Sequence, residues 1–222
     1  MAERTSQRHF RAELRNNALR VAVGLRLGLP LVLPHCCGCG ANVDRLGHHG
    51  LACGSSAGRH ERHNILNDTI LRALQSAGVP AIREPPGLSR TDAKRPDGAT
   101  LIPWSRGRCL LWDATTPDTL APSHVQSSAT LAGSAALLAE NAKTLKYAQL
   151  LAVHDFVPIA IETLGTWGTQ GYEFVTTLGK RVAEVTGEPR STAFLRQRLA
   201  LAVQRGNAIS VMGTLPCYKG QA

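Results

Sequence analysis

The chain has 222 residues, 43% of them hydrophobic, and a formal net charge of +9 with a pI near 9.7. That length supports one sizeable core, or a core with a small appendage, and predicts a globular protein. No apolar run approaches the ~20 residues of a membrane helix; the best, "LGLPLVLP", is cut by Pro30 and Pro34.

Aromatic residues are only 5% of the chain, so packing leans on Leu, Ala, Val and Ile, with Trp104, Trp112 and Trp167 as large anchors. The basic residues are spread along the sequence. Such a balance suits a protein that meets phosphate backbones, although charge alone fits simple solubility equally well.

The start, "MAERTSQRHFRAELRNNALR", is rich in Arg but interrupted by Glu3 and Glu13, and reads as an amphipathic or frayed helix, with a transit peptide as the minor alternative. "LRVAVGLRLGLPLVLPH" follows as a short helix and an extended strap, so residues 1–34 form an N-terminal strap.

Residues 35–58 hold four of the six cysteines. This crowding is unlike a secreted disulfide framework and points to a metal in a reducing compartment, nuclear or cytoplasmic. Cys37, Cys39, His49 and Cys53 would close a tetrahedral Zn²⁺ site, with Cys36 in place of Cys37 or His48 in place of His49 as alternatives. The glycines at 38, 40, 47 and 50 allow the tight turns of a zinc knuckle.

From Arg59 to Ala77, apolar residues at 66, 70, 74 and 77 share one helical face, and Gly78 and Pro80 stop the helix. "AIRE" predicts a short strand. "ATLIPW" and "RCLLWDAT" predict two more, joined as a hairpin by "SRG". A long Ala/Leu-rich helix is expected from a cap at Ser127 or Ser128 to about Ala152. "FVPIAIE" reads as a strand, at a sheet edge because Pro158 cannot donate to a ladder. Two helices finish the chain, over "GYEFVTTLGKRVAEVT" and from Ser191 to about Arg205. The expected class is α/β, with units at 59–187 and 188–222 after the knuckle.

Asp97 and Asp113 stand on the two arms of the hairpin, and Asp113 sits inside an apolar run. Two carboxylates brought together at one sheet end repel, unless a divalent cation lies between them. Mg²⁺, or Mn²⁺, is the natural candidate. Phosphodiester hydrolysis also needs a cationic side chain. Thr115 occupies the position two residues after Asp113, so the lysine must come from the following helix, where Lys143 and Lys146 share a face with Glu140 a turn earlier.

"KRPDG", "WDATTPDTLAPSH", "ENAKTLKYAQLL" and "FVPIAIET", in that order, resemble the restriction-enzyme-like endonuclease domain of non-LTR retrotransposons, in the PD-(D/E)XK superfamily. The resemblance covers about residues 35–213. It implies a restriction-endonuclease-like core, metal ligation by Asp97 and Asp113, and a catalytic Lys146 with Lys143 as its rival. Glu84 and Glu140 are weaker candidates for the metal shell. A Cys-Cys-His-Cys knuckle precedes the nuclease in that family, which favours Cys37, Cys39, His49 and Cys53.

The implied function is a Mg²⁺-dependent nick in DNA, whose 3′-hydroxyl primes reverse transcription. No adjacent aspartate pair of the polymerase type occurs, so the chain would be the C-terminal part of such an element's protein. DNA is the expected partner, with RNA as the alternative, and contacts are expected at Arg59, His60, His63, Lys94 and Arg95. The competing expectation is a catalytically inactive zinc-knuckle module that binds DNA or RNA.

Overall fold

A computed structural model describes residues 14–88 and 95–216. The expected N-terminal amphipathic helix falls mostly on residues 1–13, and with Lys94 it lies outside the described residues. Within them the chain forms a mixed α/β fold with seven α-helices and two small sheets. No helix is long and apolar enough to cross a membrane.

Helix α1 (Asn16–Leu27) ends at Gly28 in the left-handed conformation and leads through an irregular strap to a two-stranded ribbon, β1 (His35–Cys36) and β2 (Asn42–Val43). One turn of helix, α2 (His49–Ala52), closes this region before the long α3 (Ala57–Ser76). Next come β3 (Ala81–Arg83), β4 (Gly98–Thr100) and β5 (Leu110–Thr115). Helices α4 (Val125–Thr130) and α5 (Ser134–Lys146) and a 3₁₀ turn (Ala148–Ala152) lead to β6 (Asp155–Ala160), followed by α6 (Thr169–Thr186) and α7 (Ser191–Met212).

The main sheet has the order β3-β4-β5-β6, antiparallel except for the β5–β6 pair, and β6 is an edge strand as Pro158 required. Side chains of β5 alternate between two layers. Leu110, Trp112 and Ala114 enter the main core with residues of α3, α6 and α7, while Leu111 packs with Ala99, Tyr147 and Phe156 on the opposite face. By that alternation Asp113 falls on the Tyr147 side, beneath α5.

Three expected elements differ. The strand in "ATLIPW" stops at Thr100; Leu101 and Ile102 are exposed, and the hairpin closes beyond them through Arg106 and Gly107, both at positive φ. The single long helix is broken at Leu131–Gly133. Gly133 adopts φ 87° and α5 starts afresh, its Ala136 N–H received by the buried Glu162 carboxylate. Helix α7 runs to Met212 rather than Arg205, and it is no appendage. Its Leu195, Leu199, Ala202 and Val203 belong to the main core, and its Ala208 and Val211 pack with Val21 and Leu25 of α1 and Leu51 of α2. The boundary expected at residue 188 therefore cuts through packed structure.

Gly98 follows Asp97 for a packing reason: a Cβ there would overlap the indole of Trp112, which lies directly across the ladder. Gly98→Ala is expected to push Trp112 out of the core and cost ~1–3 kcal/mol of stability, measurable as a lowered urea midpoint with tryptophan fluorescence shifted to the red.

Candidate carboxylate and zinc sites

Extending the β4–β5 register by one residue beyond Gly98↔Trp112 sets Asp97 opposite Asp113. The Asp97 backbone oxygen accepts the Glu84 N–H at 2.8 Å, while its side chain takes over from the ladder on the other side: Oδ2 accepts the Ala114 N–H at 2.7 Å. The same oxygen accepts Asn67 Nδ2 at 3.1 Å and pairs with His63 Nε2 at 2.9 Å. Asn67 is itself fixed, since its Oδ1 accepts the Trp112 Nε1–H at 2.9 Å. Oδ1 of Asp97 accepts no hydrogen bond among the described residues, so one oxygen is anchored and the other is available to a ligand.

Asp113 is 2% exposed. Lys143 Nζ pairs with its Oδ1, and Lys146 Nζ lies 3.6 Å from its Oδ2. Lys146 also donates to the Tyr147 hydroxyl at 2.6 Å, and that hydroxyl donates to the Arg95 carbonyl at 2.8 Å. The fully buried Tyr147 thus links the lysine to the segment entering Asp97.

Burial acts to raise the Asp97 carboxyl, but the His63 hydrogen bond and charge, with the Ala114 and Asn67 donors, bring it below the ordinary carboxylate range. The Asp97 hydrogen bond raises His63 above its ordinary value. Asp97 thus contributes stability that is lost as pH falls through its lowered value, and His63 contributes stability that is lost as pH rises from about 6.5 through its raised value. In Mg²⁺-free buffer, wild-type protein is expected to lose stability on the alkaline side of about pH 6.5 relative to His63→Ala. Urea midpoints across that range check this, and parallel pH profiles for the two proteins would refute it.

Other expected site residues lie elsewhere. Glu140 is fully buried, and its two oxygens accept the Gln170 and Gly171 N–H groups at 3.1 and 2.8 Å. It caps the first turn of α6, where a negative charge meets the helix dipole; burial is the main cause that raises its carboxyl. Glu84 is exposed, at φ 49°, and pairs with Arg95. Neither carboxylate shares a hydrogen-bond partner with Asp97 or Asp113. Arg59 and His60 are exposed on α3 as a surface contact requires, whereas His63 is tied to Asp97. His63 and Asn67, four apart on one helix, were the sequence signal for this contact.

The second site is the knuckle. The ligand atoms of Cys37, Cys39, His49 and Cys53 all lie within 4.8 Å of one another. Cys37 and Cys53 sulfurs are 3.9 Å apart, and Cys39 Sγ is 3.3 Å from His49 Nε2. A tetrahedron with Zn–S and Zn–N bonds of ordinary length has edges of roughly 3.5–3.8 Å, so the set could bind a zinc ion with small adjustments. Cys36 and His48 are not in the group; Cys36 is exposed on β1. The Cys39 thiol is lowered to about 7, first by the Ala41 backbone N–H and next by Cys37, while burial raises Cys53.

Compared with known proteins, the chain matches no family model and no curated sequence.

Proposed function

We propose that the protein is a Mg²⁺-dependent DNA endonuclease with a restriction-endonuclease-like core, similar to that of non-LTR retrotransposons, and a zinc knuckle beside it. The observations that support this reading are the β4–β5 register, which continued by one residue sets Asp97 opposite Asp113, and the two lysines of α5 on Asp113. The donors suit a hard cation: two carboxylates, one with an oxygen left open. Mg²⁺ held there would supply Lewis-acid stabilisation at the phosphate and acidify water.

The chain's own groups have defined tasks. His63, Asn67 and the Ala114 N–H hold Asp97 in one rotation before any ligand arrives. The Lys143 and Lys146 ammonium groups offset negative charge developing on phosphoryl oxygens. The test is nicking of supercoiled plasmid by purified protein with Mg²⁺, beside an Asp97→Ala, Asp113→Ala double variant at matched salt. Nicking by the parent alone supports the enzyme, and none by either refutes it.

The second reading, a zinc-dependent module that binds DNA or RNA without cutting, draws on the Lys143–Asp113 pair. That contact offsets the buried carboxylate's charge with no cation present.

A further inference from the structure

A half-open cleft of about 460 Å³ lies between the knuckle and the α/β core. It is lined by Gly54, one residue past Cys53 of the knuckle, by Arg59, His60, Arg62 and His63 of α3, and by Thr115 of β5. Among the described residues no carboxylate lines it. Thr115 is two residues beyond Asp113 on β5, and His63 bonds Asp97, so the lining of the cleft adjoins both carboxylate positions.

Arg62 is the unexpected member. It is 3% exposed, and its Nη1 donates to the neutral Asn207 Oδ1 at 2.6 Å. Its stem packs so closely on Gly206 that a Cβ there would come within 3.0 Å of the Arg62 Cδ. Among the described residues no carboxylate lies within ion-pair distance. Asp118 acts on it only through space, and burial lowers the guanidinium to about 10. A buried cation with only a neutral partner is costly unless an anion completes it. The guanidinium fork fits the paired oxygens of a phosphate.

We propose that this cleft is a phosphate subsite, centred on Arg62 with Arg59 and His60 at its mouth, that grips one backbone phosphodiester of a bound strand next to the Asp97–Asp113 pair. The inference rests on the nucleic-acid part of the function proposed above. Its consequence is positional: one phosphate fixed at Arg62 sets which bond along the strand reaches the carboxylates.

The experiment measures fluorescence anisotropy of a labelled ~20-bp duplex, with Mg²⁺ omitted, over a series of salt concentrations. Arg59→Gln and Arg62→Gln should each raise Kd about tenfold and flatten the slope of log K against log salt by about one. Arg190→Gln, exposed at the start of α7 and outside the cleft, should change neither. A folded, zinc-loaded Arg62→Gln protein with wild-type Kd and slope overturns the subsite. If that variant does not fold, Arg59→Gln decides on the same readout.

Failure here is separable from failure of the nuclease reading. Wild type that binds but never nicks with Mg²⁺ removes the enzyme, while a loss of affinity in the variants still supports the subsite. Nicking with unchanged affinity in both variants does the reverse.

Discussion

Asp113→Asn is expected to reduce Mg²⁺-dependent nicking by about 10³-fold or more, equivalent to ~4 kcal/mol of transition-state stabilisation, while DNA affinity holds or rises. The asparagine is isosteric, so the β5–β6 ladder and the packing around position 113 remain. What changes is charge. The side chain can no longer serve as an anionic ligand, and Lys143 and Lys146 lose the negative charge that draws both to one point. Removing one partner of a buried pair can cost 3–5 kcal/mol, but both lysine side chains are 25% exposed and can turn to water. The stability loss is therefore expected at ~1–2 kcal/mol, too small to unfold the protein. Affinity moves the other way because a negative charge beside the phosphate path has gone. Nicking assays and anisotropy on the same preparation separate the effects, and retained nicking would remove Asp113 from the proposed site.

The antiparallel pairing of the strands that carry Asp97 and Asp113 was legible in the sequence because strand alternation and a hairpin are local properties. Asp97 stands just before one short apolar run and Asp113 inside the other, and the antiparallel pairing of the two strands sets their register. The choice of lysine was not legible, and the geometry gives the reason: Lys143 and Lys146, three apart on α5, reach different oxygens of the same carboxylate. Glu140 was misread through its company. It stands a turn before those lysines, but its oxygens face a helix whose first turn comes 30 residues later. The break before α5 was hidden for a similar reason, since Glu162, from beyond β6, receives its first-turn N–H group. Arg62 carried no signal in the sequence that set it apart from the other basic residues. Only the packing of α7, with Gly206 and Asn207 against it, makes it a buried cation.

Removing zinc is expected to have the largest effect on the fold, lowering the melting temperature by about 10 °C or more. In the knuckle, around the four ligand side chains themselves, there is little apolar packing. Its apolar cluster consists of Cys37, Val43 and Cys53 with Val32 beside them, and its strands are two residues each. Structural zinc sites contribute ~10–16 kcal/mol of binding energy that is realised as folding, far more than this cluster can supply. The loss would spread, because Leu51 packs with Val21, Leu25, Ala208 and Val211, and Gly50 lies against the Ser210–Val211 backbone of α7. It would stop at the main core, where α3, the sheet, α6 and the first half of α7 bury a separate set of side chains. A chelated protein should therefore keep most of its far-UV circular dichroism while its melt shifts and broadens. Alkylation mapped by mass spectrometry supplies the residue-level readout. With zinc, exposed Cys36 reacts while Cys37, Cys39 and Cys53 are protected; chelation should open those three together. An unchanged melt with the same three thiols reactive throughout would mean that the cluster is four neighbouring side chains rather than a metal site.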